Sequence, residues 1–197
     1  MTVVLPTLPL GSQTNISIQS NAIDLLATFG GPSQRTSRLG DRWTIEVTCR
    51  PMRYAQAAGF IAKLIQGLAE RVLVAIPQPG LEIGNPGTPL LKGAGQSGRT
   101  LQADGFTPGY VIQAGQYFSL VQGGQRYLHQ VTDAATANGS GEVELSIYPM
   151  LKVSPSDNAT LEFAAPKLEG FLQGNRQAWT IGLVENVGLS FAVTEAA

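Results

Sequence analysis

The chain is poor in charged side chains. Of its 197 residues, 14% are charged and 43% are hydrophobic, whereas an ordinary soluble domain carries about 25% charged residues. So few charges fit either a surface covered by partner subunits, whose interface cores are depleted in charge, or a neutral surface rich in Thr, Ser and Gln. Thirteen basic and 14 acidic residues give a net charge of −1. Without a clustered basic run to neutralise phosphates, direct nucleic-acid binding is not expected.

Long apolar runs and paired cysteines are also missing. No segment approaches the ~20 apolar residues of a membrane-spanning helix, so membrane insertion is not expected. Residues 1–10 are mildly apolar, but Pro6 and Pro9 interrupt them and no basic segment precedes them, unlike a secretory signal. Cys49 is the only cysteine, which excludes an intrachain disulfide and is compatible with folding in the cytoplasm.

Glycine and proline, at 23 and 12 residues, exceed their average usage and predict short elements separated by turns. The clearest predicted strand covers 42–49, because its apolar residues alternate with polar ones; a strand over 14–20 alternates in the same way. Pro51 is expected to end the strand over 42–49. Over 54–70 the apolar residues recur at steps of three and four, which predicts one amphipathic helix lying on a sheet. A strand over 71–76 follows.

The middle of the chain has the pattern of a small β-barrel. Residues 77–99 are rich in Gly and Pro and predict a long loop, of the kind that reaches a neighbouring subunit. From Thr100 onward, turn signals about every ten residues separate short apolar segments, as in a small barrel or sandwich. Gly123-Gly124 is a typical two-residue hairpin turn among them.

The C-terminal residues 178–194 predict a hairpin or a bent strand that returns to pair with the N-terminal part. The predicted fold is therefore mainly β with one α-helix: a β-sandwich plus helix, with an inserted small barrel. The discontinuous sandwich domain is expected to comprise 1–92 with 174–197, and the barrel 93–173.

The two most reactive residue types occur once each. His129 lies in a predicted strand over 126–132, where a packed or hydrogen-bonded histidine is commoner than a catalytic one. Cys49 follows the apolar parity of its strand and is expected to be a small buried hydrophobe. One histidine and one cysteine exclude zinc sites built from several such ligands. A cysteine–histidine dyad stays open, although nothing in the sequence brings the two together.

Other candidate sites have simpler structural explanations. Asp133, Asn138, Ser140 and Glu142 could offer oxygen ligands to calcium, but their spacing does not fit an EF-hand and a Gly-rich hairpin explains them. Residues 93–98 resemble a phosphate loop only loosely, since they lack its lysine and hydroxyl residue, and a linker is favoured. We therefore assign no catalytic, cofactor-binding or metal-binding residue.

Five aromatic residues concentrate in the middle of the chain and could either stack on sugar rings or fill a barrel: Tyr110, Tyr117, Phe118, Tyr127 and Tyr148. Filling a barrel is the commoner use of such residues. Carboxylate pairs for a small hydrolase show no local cluster, but spacing in the sequence does not decide their distance in space.

Several runs resemble phage tail proteins. Residues 40–52, from Gly-Asp-Arg-Trp to Arg-Pro-Met, the helix after them and the Pro-Gln-Pro-Gly segment at 77–80 resemble the opening of tail proteins from siphophage-type and prophage clusters. The runs 109–118, 127–132 and 141–151 resemble a small β-barrel module of tail-tip and baseplate-type proteins. Together these runs cover most of the chain.

The nearest role by resemblance is the distal tail protein, whose β-sandwich with one flanking helix forms a ring between tail tube and tip. The resemblance implies a structural virion protein, not an enzyme, with no cofactor. Its implied partners are copies of itself, in a hexamer in preference to a trimer, and the tail-tube, tape-measure and hub or tip proteins. Its implied location is the virion tail, after assembly in the bacterial cytoplasm.

Three alternatives remain: a carbohydrate-binding β-sandwich module for host attachment, a tail-tube or terminator subunit, and a small hydrolase using Asp and Glu pairs. In a ring, unpaired strand edges would be satisfied between subunits. The N-terminal segment 1–10 and the loop 77–99 are expected to contact neighbouring subunits. Arg35 and Arg38 could line a lumen or pair with a partner, or simply belong to a solvent-exposed loop.

Overall fold

A computed structural model describes residues 2–182 and 186–196. The described residues confirm a mainly β fold with one helix and a closed six-stranded barrel. The helix is α1 (Tyr54–Gly67), and the strands are β1 (Thr2–Val4), β2 (Gln13–Gln19), β3 (Ile23–Leu25), β4 (Gln34–Thr36), β5 (Arg42–Arg53), β6 (Arg71–Ala75), β7 (Gly87–Leu91), β8 (Thr100–Phe106), β9 (Val111–Ile112), β10 (Tyr117–Gln122), β11 (Gln125–Val131), β12 (Ala135–Thr136), β13 (Val143–Tyr148), β14 (Thr160–Glu162), β15 (Lys167–Leu172), β16 (Trp179–Ile181) and β17 (Asn186–Glu195). Within these ranges, no helix has the length and apolar character needed to cross a membrane.

The large sheet has the order β1-β6-β15-β17-β5-β2, and β16 pairs with β17 beside it. Only the β1–β6 pair is parallel among these neighbours. The apolar face predicted for β5 is confirmed, because Trp43, Ile45, Val47 and Cys49 are all buried. The helix packs on this face; Phe60 lies against Phe191 of β17, with ring centroids 5.6 Å apart.

Strand β5 continues through Pro51 to Arg53, so the prediction that this proline ends the strand is wrong. The pairing of β5 with β17 shifts register between Val187 and Leu189, which face Met52 and Cys49. Pro51 therefore lies at a bulge, one of the places in a sheet where a residue without an N–H is tolerated.

The barrel closes in the order β10-β11-β13-β8-β7-β14. Its interior is filled by apolar side chains from every strand, with Leu91, Phe118 and Leu145 fully buried. The expected long loop over 77–99 is thus partly wrong, since it contains β7. Gly and Pro around this short strand hid its apolar residues from pattern analysis.

Two strands lie on the other side of the domain boundaries expected at 92/93 and 173/174. Strand β7 precedes residue 93 but pairs within the barrel, and β15 precedes residue 174 but pairs within the large sheet. All barrel strands lie in the sequence between β6 and β15. The prediction that the C-terminal segment returns to the N-terminal part is confirmed, because β17 pairs with β5; residues 183–185 of that segment lie outside the described ranges.

Candidate interaction surfaces and the barrel–sheet joint

Two buried glutamates join the sheet to the barrel. Glu169 and Glu195 lie on the neighbouring strands β15 and β17 and are 1% and 2% exposed. Glu169 Oε2 accepts a hydrogen bond from the Arg126 N–H at 3.0 Å, and Glu195 Oε1 accepts one from the Leu128 N–H at 3.0 Å. The two glutamates thus bind successive outward N–H groups of one barrel strand, β11.

These N–H groups need partners because the neighbouring strand has ended. Strand β13 pairs with β11 only at Gln130 and Val131. Alternate residues of a strand point their N–H groups to the same side, so those of Arg126 and Leu128 face the space beyond the end of β13. A buried N–H without a partner is costly, and the glutamates supply the acceptors that a continuing strand would have supplied.

The remaining carboxylate oxygens are also bonded. Glu195 Oε2 accepts from the Trp43 N–H at 3.2 Å and lies 2.6 Å from Lys152 Nζ. Glu169 Oε1 accepts from Thr2 Oγ1 at 3.3 Å and lies 3.7 Å from Arg71 Nη1. Two buried carboxylates were the feature that would have favoured a hydrolase, but here every oxygen is held by a structural donor. Their arrangement fixes the barrel on the sheet.

Further contacts extend this joint. Lys167 N–H donates to Ser119 Oγ at 2.7 Å, and the Ser119 hydroxyl donates to the Lys167 carbonyl at 2.8 Å. The Tyr117 ring meets the Trp43 ring edge to face, with centroids 5.4 Å apart. Leu128 is a barrel residue but packs in the core of the large sheet. The joint therefore combines apolar packing with hydrogen bonds to every oxygen of the two glutamate carboxylates.

His129 is fully buried in the barrel and stacks on Phe118 at 5.6 Å between ring centroids. Its Nδ1 lies 2.9 Å from the Pro149 carbonyl oxygen, and its Nε2 has no hydrogen-bond partner among the described residues. Burial lowers the pKa of His129 from 6.5 to about 4, against the Pro149 hydrogen bond; the Lys152 charge adds to the lowering. Cys49 lies instead in the sheet core, where burial raises the pKa of its thiol.

The oxygen-rich loop after β12 is a hydrogen-bonded turn. Asn138 Oδ1 accepts from the N–H groups of Ser140 and Glu142, each at 2.9 Å. Glu142 pairs with Lys92 at 2.7 Å, and Asp133 accepts from the neighbouring Thr132 hydroxyl. Over 2–182 and 186–196, no three His, Cys, Asp or Glu side chains are grouped to hold a metal.

The Gly-rich segment 93–98 is held by side chains rather than shaped around a ligand. Gly93 N–H donates to Asp157 Oδ1 at 2.7 Å. Gln96 accepts from the Gln102 N–H at 2.7 Å and donates to the carbonyl oxygen of Lys92 at the same distance. These bonds support its interpretation as a connection between β7 and β8.

The five middle aromatic residues serve packing. Phe118 is fully buried, and Tyr110 stacks on Phe106 at 5.9 Å while its hydroxyl donates to the Ile83 carbonyl. Tyr127 packs against the barrel core, and Tyr148 lies beneath the guanidinium of Arg99. The remaining one, Tyr117, is the joint residue already described. The structure thus places these rings inside and around the barrel.

The most exposed apolar element is a hairpin that sequence analysis missed. Strands β3 and β4 pair with each other alone, and residues 19–39 are all exposed except Ala22. We call residues 20–40 the arm. Its apolar side chains include Leu25, Leu26 and Phe29, which are 56%, 78% and 100% exposed. From the sequence, only Arg35 and Arg38 were singled out in this region, although the Ile-Asp-Leu-Leu run at 23–26 was a visible signal.

The arm leaves the sheet from a fixed base. Asp41, 5% exposed, accepts a hydrogen bond from the Asn21 N–H at 2.7 Å, and Asn21 Nδ2 donates to the Leu39 carbonyl at 2.8 Å. Arg35 pairs with Asp24 across the arm at 3.4 Å, with both side chains exposed. The base is held, while the apolar end projects into solvent.

Strand β2, which leads into the arm, is an unprotected edge. It pairs with β5 on one side and ends the sheet on the other. Its seven residues, Gln-Thr-Asn-Ile-Ser-Ile-Gln, contain no charge and no proline, the usual devices that protect a free edge from pairing. This strand can therefore accept another strand.

The N-terminal segment, expected to contact a neighbour, begins within the fold of its own chain. Strand β1 pairs with β6, and Val3 and Leu5 are buried in the sheet core. Leu10, at the end of the segment, is 93% exposed.

We expect Lys152→Met to lower the free energy of unfolding by about 3 kcal/mol, because it leaves the buried Glu195 carboxylate without its cation. Urea denaturation measures this. The control is Lys92→Met, which removes an ion pair whose side chains are 48% and 41% exposed and should barely shift the midpoint. Equal effects of the two substitutions would contradict the structural role of the buried pair.

The free energy of unfolding should also fall as the pH is lowered from about 6.5 to about 4. In this window His129 is protonated in the unfolded chain but neutral in the folded protein, so protons favour unfolding. The loss should approach about 3 kcal/mol. His129→Gln should remove this part of the pH dependence in denaturant titrations. An unchanged pH profile would show that the histidine does not titrate as described.

Comparison with known proteins leaves function to be argued from the structure. No protein-family model and no curated protein matches this chain.

Proposed function

We propose that this protein is a structural subunit of a phage-type tail that forms an oligomeric ring at the distal end, where the ring joins the tail tube to the tip or baseplate. The observation that carries the proposal is the arm, residues 20–40, which exposes a group of large apolar side chains and whose two strands pair with no other described strand. The sequence resemblance to tail proteins supplies the biological setting.

The arm has the physical character of an interaction element. An isolated two-stranded hairpin is marginally stable in water, because it has no third strand or helix on which to bury a face. Exposed apolar groups of this kind on soluble proteins usually mark a protein–protein contact. Burial of Leu25, Leu26 and Phe29 against another copy would stabilise both the arm and the assembly.

Strand β2 and the arm form one continuous assembly surface. The strand ends at Gln19, and the arm begins at the next residue. Residues 13–39 therefore combine a strand edge open to pairing with an exposed apolar hairpin. When each subunit contacts the next head-to-tail through two unlike surfaces, the subunits close into a ring if the rotation per subunit allows it. The low overall charge of the chain fits such coverage by partners.

The joint between barrel and sheet also suits a mechanical role. It holds the barrel against the sheet through Glu169 and Glu195, so that every subunit of a ring presents the barrel in the same orientation. A hexamer is proposed in preference to a trimer. The tail-tube, tape-measure and hub or tip proteins are the other proposed partners, and the virion tail is the proposed location.

The alternatives differ in what they require. A carbohydrate-binding module needs exposed aromatic platforms, whereas the middle aromatic residues pack in and around the barrel; binding on a glycan array would favour it nonetheless. A tail-tube or terminator subunit would share the same assembly surface. The position of the gene relative to a tape-measure gene separates these tail roles.

The purified protein should be a defined oligomer, and the double variant Leu25→Asp/Leu26→Asp should be monomeric, since it places charges in the contact. Light scattering after size-exclusion chromatography measures both masses. The matched control is Val111→Asp, which changes a 56% exposed apolar residue on β9, outside β2 and the arm, and should leave the oligomer intact.

Circular dichroism should show the same fold for all three proteins, because the substituted residues are exposed. A wild-type monomer, or an oligomer unaffected by the double substitution, would contradict the proposal.

A further inference from the structure

A groove opens in the barrel wall between β7 and β14. The two strands pair only at Leu90 and Thr160. Beyond this pair they diverge around a cavity of about 480 Å³, within the size range of sites that hold small ligands or a few side chains. Residues 86–90 form one wall and 160–165 the other, and most of the lining surface is apolar. We call this cavity the barrel groove.

The sequence of β7 explains why the wall stays open. Pro89, two residues before Leu91 in β7, has no N–H to donate across the gap, so a regular ladder cannot continue there. Gly87 has a φ of 86°, and its pairing with β8 is irregular between Gly87 and Leu90. The groove is therefore built into the strand by residues unsuited to pairing, and its edge residues Thr88 and Ala164 are exposed.

We propose that the end of the arm of one copy, carrying Leu25, Leu26 and Phe29, docks in the barrel groove of the next copy. This inference rests on the proposed ring. Phe29 is fully exposed, so the arm does not occupy the groove of its own chain. The chain thus displays an exposed apolar projection and an apolar groove that takes side chains of this kind.

The size of the surfaces favours a second copy as the occupant. A stable protein–protein interface uses about 20–30 residues on each side. The continuous surface of β2 and the arm, residues 13–39, is of this size, with the apolar end as its most protruding part. A projection on one surface and a groove on another give a contact between unlike surfaces, which is the type that builds rings.

The inference is tested by disulfide trapping between separately purified variants. Phe29→Cys and Thr88→Cys are each made in the full chain; the native Cys49 is buried and 3% exposed, so it stays out of reach. Mixed and mildly oxidised, they should yield a disulfide-linked dimer containing one chain of each, since docking brings the two sites within the short range a disulfide requires. Each variant alone should yield none.

The matched control is Phe29→Cys mixed with Val111→Cys, an exposed position on β9 outside the groove, which should give no linked dimer. Light scattering of the wild-type protein accompanies the trapping. If the wild-type protein is an oligomer but Phe29→Cys and Thr88→Cys form no disulfide, the docking proposal is overturned while the proposed ring stands. A monomer without the link would overturn both. Linked dimers of Phe29→Cys alone would show that arm ends meet each other, which also overturns the docking.

Discussion

The architecture depends on the hydrogen bonds that the main chain of β11 donates to the carboxylates of Glu169 and Glu195. They come from adjacent strands of the large sheet and take the place of a strand beside the barrel. Because Lys152 and the Trp43 N–H of β5 also bind Glu195, this one side chain of β17 links β5, the barrel and β17. The barrel therefore has a fixed position on the sheet.

The arm shows the opposite balance of forces. At the joint, the buried carboxylates of Glu169 and Glu195 find partners, whereas the arm exposes Leu26 and Phe29 and pairs only with itself. Exposed apolar side chains of this kind gain free energy when a partner covers them. This contrast is the physical basis for treating the protein as an assembly subunit.

Local patterns predicted part of this structure. The alternation around Trp43 and the helical stripe over 54–70 each indicate one buried face, so β5 and α1 were foreseeable. Strand β15 was missed because its buried residues include Glu169 and Gly170, which interrupt any apolar pattern. Nothing local marks Glu169 or Glu195 as buried, since their partners are distant in sequence. The joint could therefore emerge only from tertiary structure.

The central claim is that copies of this protein bury the arm by assembling into a closed ring of identical subunits. Negative-stain electron microscopy of the purified protein tests it most directly. The account predicts rings of uniform diameter with a single rotational symmetry, sixfold in preference to threefold. A field of single particles of monomer size, at concentrations where light scattering also reports a monomer, would contradict it.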